Sequence, residues 1–397
     1  MKKRRWFLLF LPLVALSPFL PIRTVTAQVA PQFGNPVPGL PDEPLAAFAF
    51  GKEKFVKEEK PETGLGPVYN GKSCVECHSN PAPGGSGISL DNRATRFARN
   101  VEGEPFDPLL NLGGPNLQKS SVADELPPGS CSLAAEVVPP EANVTGKRQP
   151  PPLFGLGLIQ AIPDSTILAN ADPTDVNGDR IAGRPNISNG VIGRFGWKAA
   201  VPTILDFVGL AMVNELGVTN YLFPNEMSPQ GKPIPPGCKI TTDPEDHDAS
   251  RISTLMFYTT HLAPPPRGPI TPAVLRGQTV FTQTGCALCH TPSMRTGPNA
   301  IDALNEQEVP LYSDLLTHYM GGALDDHIIE GAAGGGRWRT APLWGLRARN
   351  FFLHDARATD LVTAIRLHGG EASQVRNLFF NLPAIQRADL LAFLRSL

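Results

Sequence analysis

Four stretches of the chain concentrate apolar residues. The first runs from Trp6 to Leu20, is broken by Pro12 and Pro18, and follows the basic Lys2-Lys3-Arg4-Arg5. At 15 residues it is shorter than the ~20 a membrane-spanning helix needs. Val25-Thr26-Ala27 follows with small residues, the layout of a secretory signal peptide over residues 1–27. The second stretch, Val201 to Leu216, carries Asp206, Asn214 and Glu215 and predicts a core helix. The third, Thr271 to Phe281, opens with Thr271 as N-cap and Pro272 at the first helical position. The fourth, Pro383 to Leu397, sets Ile385, Leu390, Leu391, Phe393, Leu394 and Leu397 on one wide face and predicts a closing helix. That helix would pack on the third stretch, where Gly277 permits close approach. Few β-branched alternating runs occur, so the expected class is mainly α.

Composition narrows the reading. The 397 residues suggest two or three domains. The 38 glycines and 42 prolines predict long irregular loops around short helices, below the ~25–30% typical of low-complexity disorder. A net charge of −2 argues against a nucleic-acid or anionic-lipid partner. With 18% charged and 7% aromatic residues, a coiled coil and a charged disordered chain are excluded. Six cysteines are too few for a disulfide scaffold of this size.

Four of those cysteines carry the chemistry. Cys74-Val75-Glu76-Cys77-His78 and Cys286-Ala287-Leu288-Cys289-His290 are both C-x-x-C-H. Two thiols at this spacing can form thioethers to one haem, and the adjacent imidazole can bind its iron. A redox dithiol has no need of the following histidine. A zinc site would want a second ligand pair nearby, and none follows either motif. The expected cofactors are two covalently attached c-type haems, with His78 and His290 as iron ligands. Cys131 and Cys238 are left over, either as a disulfide in an oxidising compartment or as two separate buried thiols.

The chain also repeats itself. Gly51-x-x-x-Phe55 precedes the first motif as Gly277-x-x-x-Phe281 precedes the second. Pro152-Leu153-Phe154-Gly155-Leu156 follows the first as Pro342-Leu343-Trp344-Gly345-Leu346 follows the second, with Arg148 and Arg339 shortly upstream. Two motif types in the same order predict two homologous haem domains. The expected boundaries are 28–262 and 263–397, with Pro264-Pro265-Pro266 as linker.

Arg339 to Leu346, Phe352-Leu353-His354-Asp355-Ala356-Arg357-Ala358 and Ala364 to Ala372 resemble the bacterial di-haem cytochrome c peroxidase superfamily. Within it the chain is similar to the di-haem oxidoreductase branch, also called thiol oxidoreductases. Leu262 to Gly268, Tyr312 to Leu316 and Gly193 to Ala199 add to the likeness. The resemblance implies two class I cytochrome-c-like domains, one haem reducing peroxide and the other passing electrons to it. It places His368 as distal ligand of the second haem, with Met320 as the alternative. It expects an acid where Gln160 stands, leaving Gln160 to orient peroxide, and a glycine where Ala356 stands. Calcium is often held between the domains in that superfamily.

No histidine lies between His78 and His247, and no methionine between His78 and Met212. The first haem is therefore expected to have an open distal side, unless Met212 or Lys198 reaches it. Asp172, Asp175, Asn177 and Asp179 resemble the start of a Ca²⁺ loop, although Arg180 stands where a glycine belongs; an Asx-rich turn is the other reading. Trp197 and Trp344 are candidates for an electron relay or for core packing. Arg148, Arg180, Arg194 and Arg339 are candidates for haem propionates. His354 is expected to make a structural hydrogen bond, and His318 and His327 to lie at the surface or at a haem edge. The sum is an exported peroxidase-like oxidoreductase. Its partners would be peroxide or another small oxidant and a small exported donor, a cytochrome c or a cupredoxin. The alternatives are a di-haem electron-transfer protein and an oxidase acting on a protein partner.

Overall fold

Gly51 and Gly277 each sit where two helices cross almost backbone to backbone. A Cβ on Gly51 would meet the Tyr258 Cβ at 2.8 Å, and one on Gly277 would meet the Phe393 Cβ at 2.8 Å and overlap the Asp389 carbonyl. The computed structural model describes residues 32–188, 190–242 and 244–397; the expected leader lies outside them. Ten α-helices are described: α1 Asp42–Val56, α2 Cys74–Cys77, α3 Leu156–Ala161, α4 Asp164–Leu168, α5 Ile204–Glu215, α6 Ser250–His261, α7 Pro272–Thr284, α8 Leu361–Arg366, α9 Ser373–Asn381 and α10 Ala384–Leu394. Strands are short; the largest sheet is three-stranded and antiparallel, with Ala94–Ala98 between Asn116–Leu117 and Val144–Arg148.

The helices begin where side-chain chemistry starts them. Thr271 Oγ1 accepts from Val274 N at 3.3 Å, Pro272 occupies the first turn, and Gly285 ends α7 in the left-handed region at φ +93°. Thr203 Oγ1 accepts from Asp206 N at 3.0 Å and starts α5, so the apolar stretch Val201–Leu216 becomes the expected core helix.

The sequence repeat is a repeat of structure. Helices α1 and α6 cross at Gly51; α7 and α10 cross at Gly277. One turn after each glycine a phenylalanine turns inward. Phe55 lies 6.5 Å from the His78 ring and 5.1 Å from Tyr258. Phe281 lies 6.3 Å from the His290 ring and 5.2 Å from Phe393. The second echo matches too. Gly155 N donates to Leu262 O at 3.0 Å, just past α6, and Gly345 N donates to Leu397 O at 2.8 Å, just past α10.

Pro31–Leu397 forms one unit with three apolar clusters. One, around Phe48, Phe55, Met212 and Tyr258, draws on residues up to Leu262. Another, around Val274, Phe281, Phe379 and Phe393, draws on residues from Val274 onward. The third joins both stretches, packing Ile159, Ile162 and Ile204 against Met294, Leu311, Leu316 and Trp344. Trp344 is 6% exposed within that cluster, which is the packing role. Cys131 and Cys238 are disulfide-bonded. Among the described residues, no helix is long and apolar enough to cross a membrane.

Because α10 leaves no room at its contact with α7, Gly277→Ala should destabilise the protein by about 3 kcal/mol. Denaturant unfolding checks this; an unchanged midpoint would mean the crossing is looser than described.

Candidate functional site

One helical turn builds each Cys-Cys-His cluster. His78 N donates to Cys74 O and His290 N to Cys286 O, both at 3.0 Å. Cysteines three apart and a histidine four after the first thereby share one face. Each cluster opens on its own cavity. The first, about 500 Å³, is lined by Cys74, Cys77, His78, Phe55 and much of α5. The second, about 210 Å³, is lined by Cys286, Cys289, His290, Phe281, Phe379 and Leu394, together with His368.

The imidazoles are held alike. The His78 ring pairs through Nδ1 with Gly85 O at 3.1 Å, and the His290 ring through Nδ1 with Tyr312 O at 3.0 Å. A carbonyl only accepts, so each Nδ1 carries the proton and each Nε2 keeps its lone pair. Burial pushes both imidazoles down to about 4, so they are neutral donors. The four cysteines are free. Burial raises Cys74, Cys77 and Cys286 to about 12 and lifts Cys289 as well. A redox dithiol needs a depressed thiol, and these are the reverse.

The two cavities differ in what else they hold. His368 lines the second, its Nδ1 against Ala364 O at 2.8 Å, and it is close enough to depress His290 further. Met320 and His354 line the same cavity. His354 stacks on Trp338 at 3.5 Å between ring centroids. Burial and the charges of Arg148, Arg357 and Lys198 push it to about 2. Of the two places expected for it, His318 is not at the surface: it is 3% exposed and lines the second cavity. Its Nε2 meets Asp314 Oδ2 and its Nδ1 meets Glu371 Oε2, both at 2.8 Å, and these carboxylates hold it well above the usual imidazole range against the pull of burial. His327, by contrast, is largely exposed.

In the first cavity, His78 is the only histidine among the described lining residues. Met212 lines it but belongs to the cluster that also packs Phe55 and Cys74. Lys198 does not line it. The lysine is fully buried, with Nζ donating to Gly334 O and Gly335 O at 2.8 and 2.7 Å and paired with Asp326 at 3.5 Å. Gln160 does not line it either: it is exposed, and its Oε1 accepts from Ile204 N at 2.7 Å at the start of α5. Its side chain is occupied as a helix-end acceptor. The acid missing from the sequence reading is Glu215, at the last turn of α5. It lines the cavity, takes a hydrogen bond from Asn70 Nδ2 at 2.9 Å, and is raised by burial. Its only sequence signal was a carboxylate closing an apolar helix.

Trp197 lines both cavities, its Nε1 donating to Gln149 O at 2.7 Å. Arg148 is paired with Asp326 and Glu330, Arg194 with Asp164, and Arg180 is exposed. In the 172–181 loop, Asp172, Asp175, Asn177 and Asp179 all spend side-chain oxygens on the loop's own N–H groups. Among the described residues, no cluster of His, Cys, Asp and Glu is set to hold a metal ion. The loop is an Asx-rich turn.

Two thiol–imidazole clusters thus each face a cavity of their own. The family profile described as "Di-haem oxidoreductase, putative peroxidase" matches residues 134–397, and the chain belongs to that family. Membership implies two haems. The first Cys-Cys-His cluster lies ahead of the matched stretch and the second within it. Three solved structures resemble the chain. Hydrazine synthase of Kuenenia stuttgartiensis is 14% identical over 97% of this chain and 100% of its own, with TM-score 0.39. A MauG-like protein associated with microbial copper homeostasis is 15% identical over 96% and 95%, with TM-score 0.40. The dihaem peroxidase BthA of Burkholderia thailandensis is 15% identical over 93% and 90%, with TM-score 0.40. No curated protein matches the chain. The residues fit haem: each cavity joins a neutral imidazole and two thiols to apolar walls. The buried Nε of Arg349, on the second cavity, lacks a partner among the described residues.

The His318 network gives a pH signature. Raised above its ordinary value, His318 contributes stability that is complete below about pH 6.5 and is lost as pH rises through its folded value. Glu371 is held low, chiefly by His318 against burial, so its contribution is present above about pH 4.5 and lost as pH falls through its folded value. His318→Asn should cost about 3–5 kcal/mol near neutrality, by stranding buried carboxylates, and should flatten the alkaline decline. Urea unfolding at pH 6 and pH 9 tests this; parallel profiles for variant and wild type would contradict it.

Proposed function

We propose that the chain is an exported di-haem c-type oxidoreductase that reduces hydrogen peroxide at the first cavity with electrons passed through the second. The observation that carries this is the asymmetry between the cavities: His290 shares its cavity with His368, whereas His78 has no second imidazole. In this reading Cys74 and Cys77 form thioethers to one haem and Cys286 and Cys289 to the other. The duplicated helix crossings then belong to two cytochrome-c-like domains, 28–262 and 263–397. Export is supported by the basic-then-apolar start of the sequence and by the Cys131–Cys238 disulfide.

A bound haem would supply a redox-active iron, suited to electron transfer where two imidazoles could hold it and to small ligands where one could. His78 and His290 offer Nε2 because their Nδ1 protons are held by backbone carbonyls. His368 offers a second imidazole, closing that centre to small ligands and suiting it to electron transfer. Peroxide takes two electrons and two protons to give two waters. Glu215, kept protonated at higher pH than an exposed glutamate, is the carboxyl that holds a proton in the first cavity. Trp197 bridges the two cavity walls as electron relay. A small exported cytochrome c or cupredoxin would supply the electrons. Met212 favours the second reading, a pure electron-transfer protein, should its thioether close the first haem.

Cyanide should bind one ferric haem per chain and leave the other untouched. Glu215→Gln should keep that binding while lowering peroxide turnover about 100-fold, the usual size of one general acid–base contribution. Optical titration and stopped-flow turnover check both. A first haem indifferent to cyanide and to peroxide would replace the peroxidase reading with the electron-transfer one.

A further inference from the structure

We propose that Arg339 and Arg349 form a carboxylate clamp on the wall of the second cavity, and that its ligand is the propionate pair of the haem assigned there. The inference rests on that assignment. Both side chains line the cavity. Each is anchored on one side by backbone carbonyls. Arg339 Nε donates to Gly196 O at 2.8 Å, and an Arg349 Nη donates to Pro342 O at 2.8 Å and Trp344 O at 3.3 Å. Among the described residues, Arg349 Nε is buried with no partner.

Both side chains lack an anion of their own. Among the described residues, neither makes an ion pair with an aspartate or glutamate, whereas Arg148, Arg194 and Arg337 all do. The carboxylate that acts on Arg339 is Asp314, and its Oδ2 already meets His318. Burial pulls both guanidiniums down to about 10, and Arg349 repels Arg339. Two half-buried like charges without a counter-ion are costly, so the wall is built for a negative ligand. The guanidinium fork matches a carboxylate in particular. Apart from its histidines, Thr340 and Arg376, the lining is largely apolar, with Phe281, Leu343, Leu346 and Phe379 in its walls. A ligand that suits both features is a large apolar body bearing carboxylates at one edge, which excludes a small free anion.

The clamp is tied to the relay. Arg339 N donates to Trp197 O at 2.8 Å and Arg339 Nε holds the neighbouring Gly196, so the residue that would grip the propionates also fixes the loop shared with the first cavity. Two cations at the propionates stabilise added negative charge, and therefore favour the reduced form of the second haem over the first.

Arg339→Gln and Arg349→Gln holoproteins test the clamp by spectropotentiometric titration and by the propionate-bending band in resonance Raman spectra. In each variant the second haem should shift to lower potential, its propionate band should move, and the first haem should keep its midpoint. Arg349→Lys should retain most of the wild-type midpoint. Unchanged midpoint and band in both Gln variants, with two haems present, would overturn the clamp. Equal shifts in both haems would overturn it too, since they would report net charge alone. Absence of haem from the wild-type protein would instead overturn the cofactor assignment.

Discussion

The structure depends on one contact made twice: a helix crossing at a glycine, with a phenylalanine one turn later against an imidazole. At Gly51 and Gly277 a side chain would collide with the partner helix. Because the helices meet there, Phe55 and Phe281 are driven inward to the rings of His78 and His290. The carbonyls of Gly85 and Tyr312 then fix which nitrogen of each ring is free. Sequence, packing and ligand geometry are thus linked in one chain of causes, and it runs in parallel in both halves of the molecule.

The halves diverge where function requires it. His368 follows the short helix α8 and reaches the second cavity, its Nδ1 held by Ala364 O one turn back; Glu371, three residues on, receives Ala182 N, Tyr319 N and His318. The first cavity has no such segment; α5 crosses it instead, bringing Met212 and Glu215. One cavity is furnished with two imidazoles, His290 and His368. The other is furnished with a carboxyl group. Gln149 O and Arg339 N hold Trp197 by hydrogen bonds at the wall the two cavities share.

Much of this was legible in the sequence because it is written in local spacing. The C-x-x-C-H pairs, the Gly-x-x-x-Phe helices, the Thr271–Pro272 helix start and the closing apolar face are all short-range patterns, and the structure repeats them element by element. Long-range contacts were less visible. Gln160 was assigned by its place in a motif, yet its oxygen is occupied by Ile204 N. Lys198 was offered as a distant ligand, yet its ammonium is closed in by Asp326 and two carbonyls. The sequence leaves His318 between the surface and a haem edge; the fold puts it on the lining of the second cavity beside Cys289, because its two carboxylate partners lie 4 and 53 residues away. Glu215 was read as a polar interruption of an apolar helix, and only the fold turns it into a cavity wall.

The central claim is that one centre is open and the other is closed by His368. The electron paramagnetic resonance spectrum of the purified ferric protein, taken beside His368→Ala, tests it most directly. The account predicts one high-spin and one low-spin haem in the wild type and two high-spin haems in the variant. Two low-spin haems in the wild type, or a variant spectrum identical to it, would contradict the account.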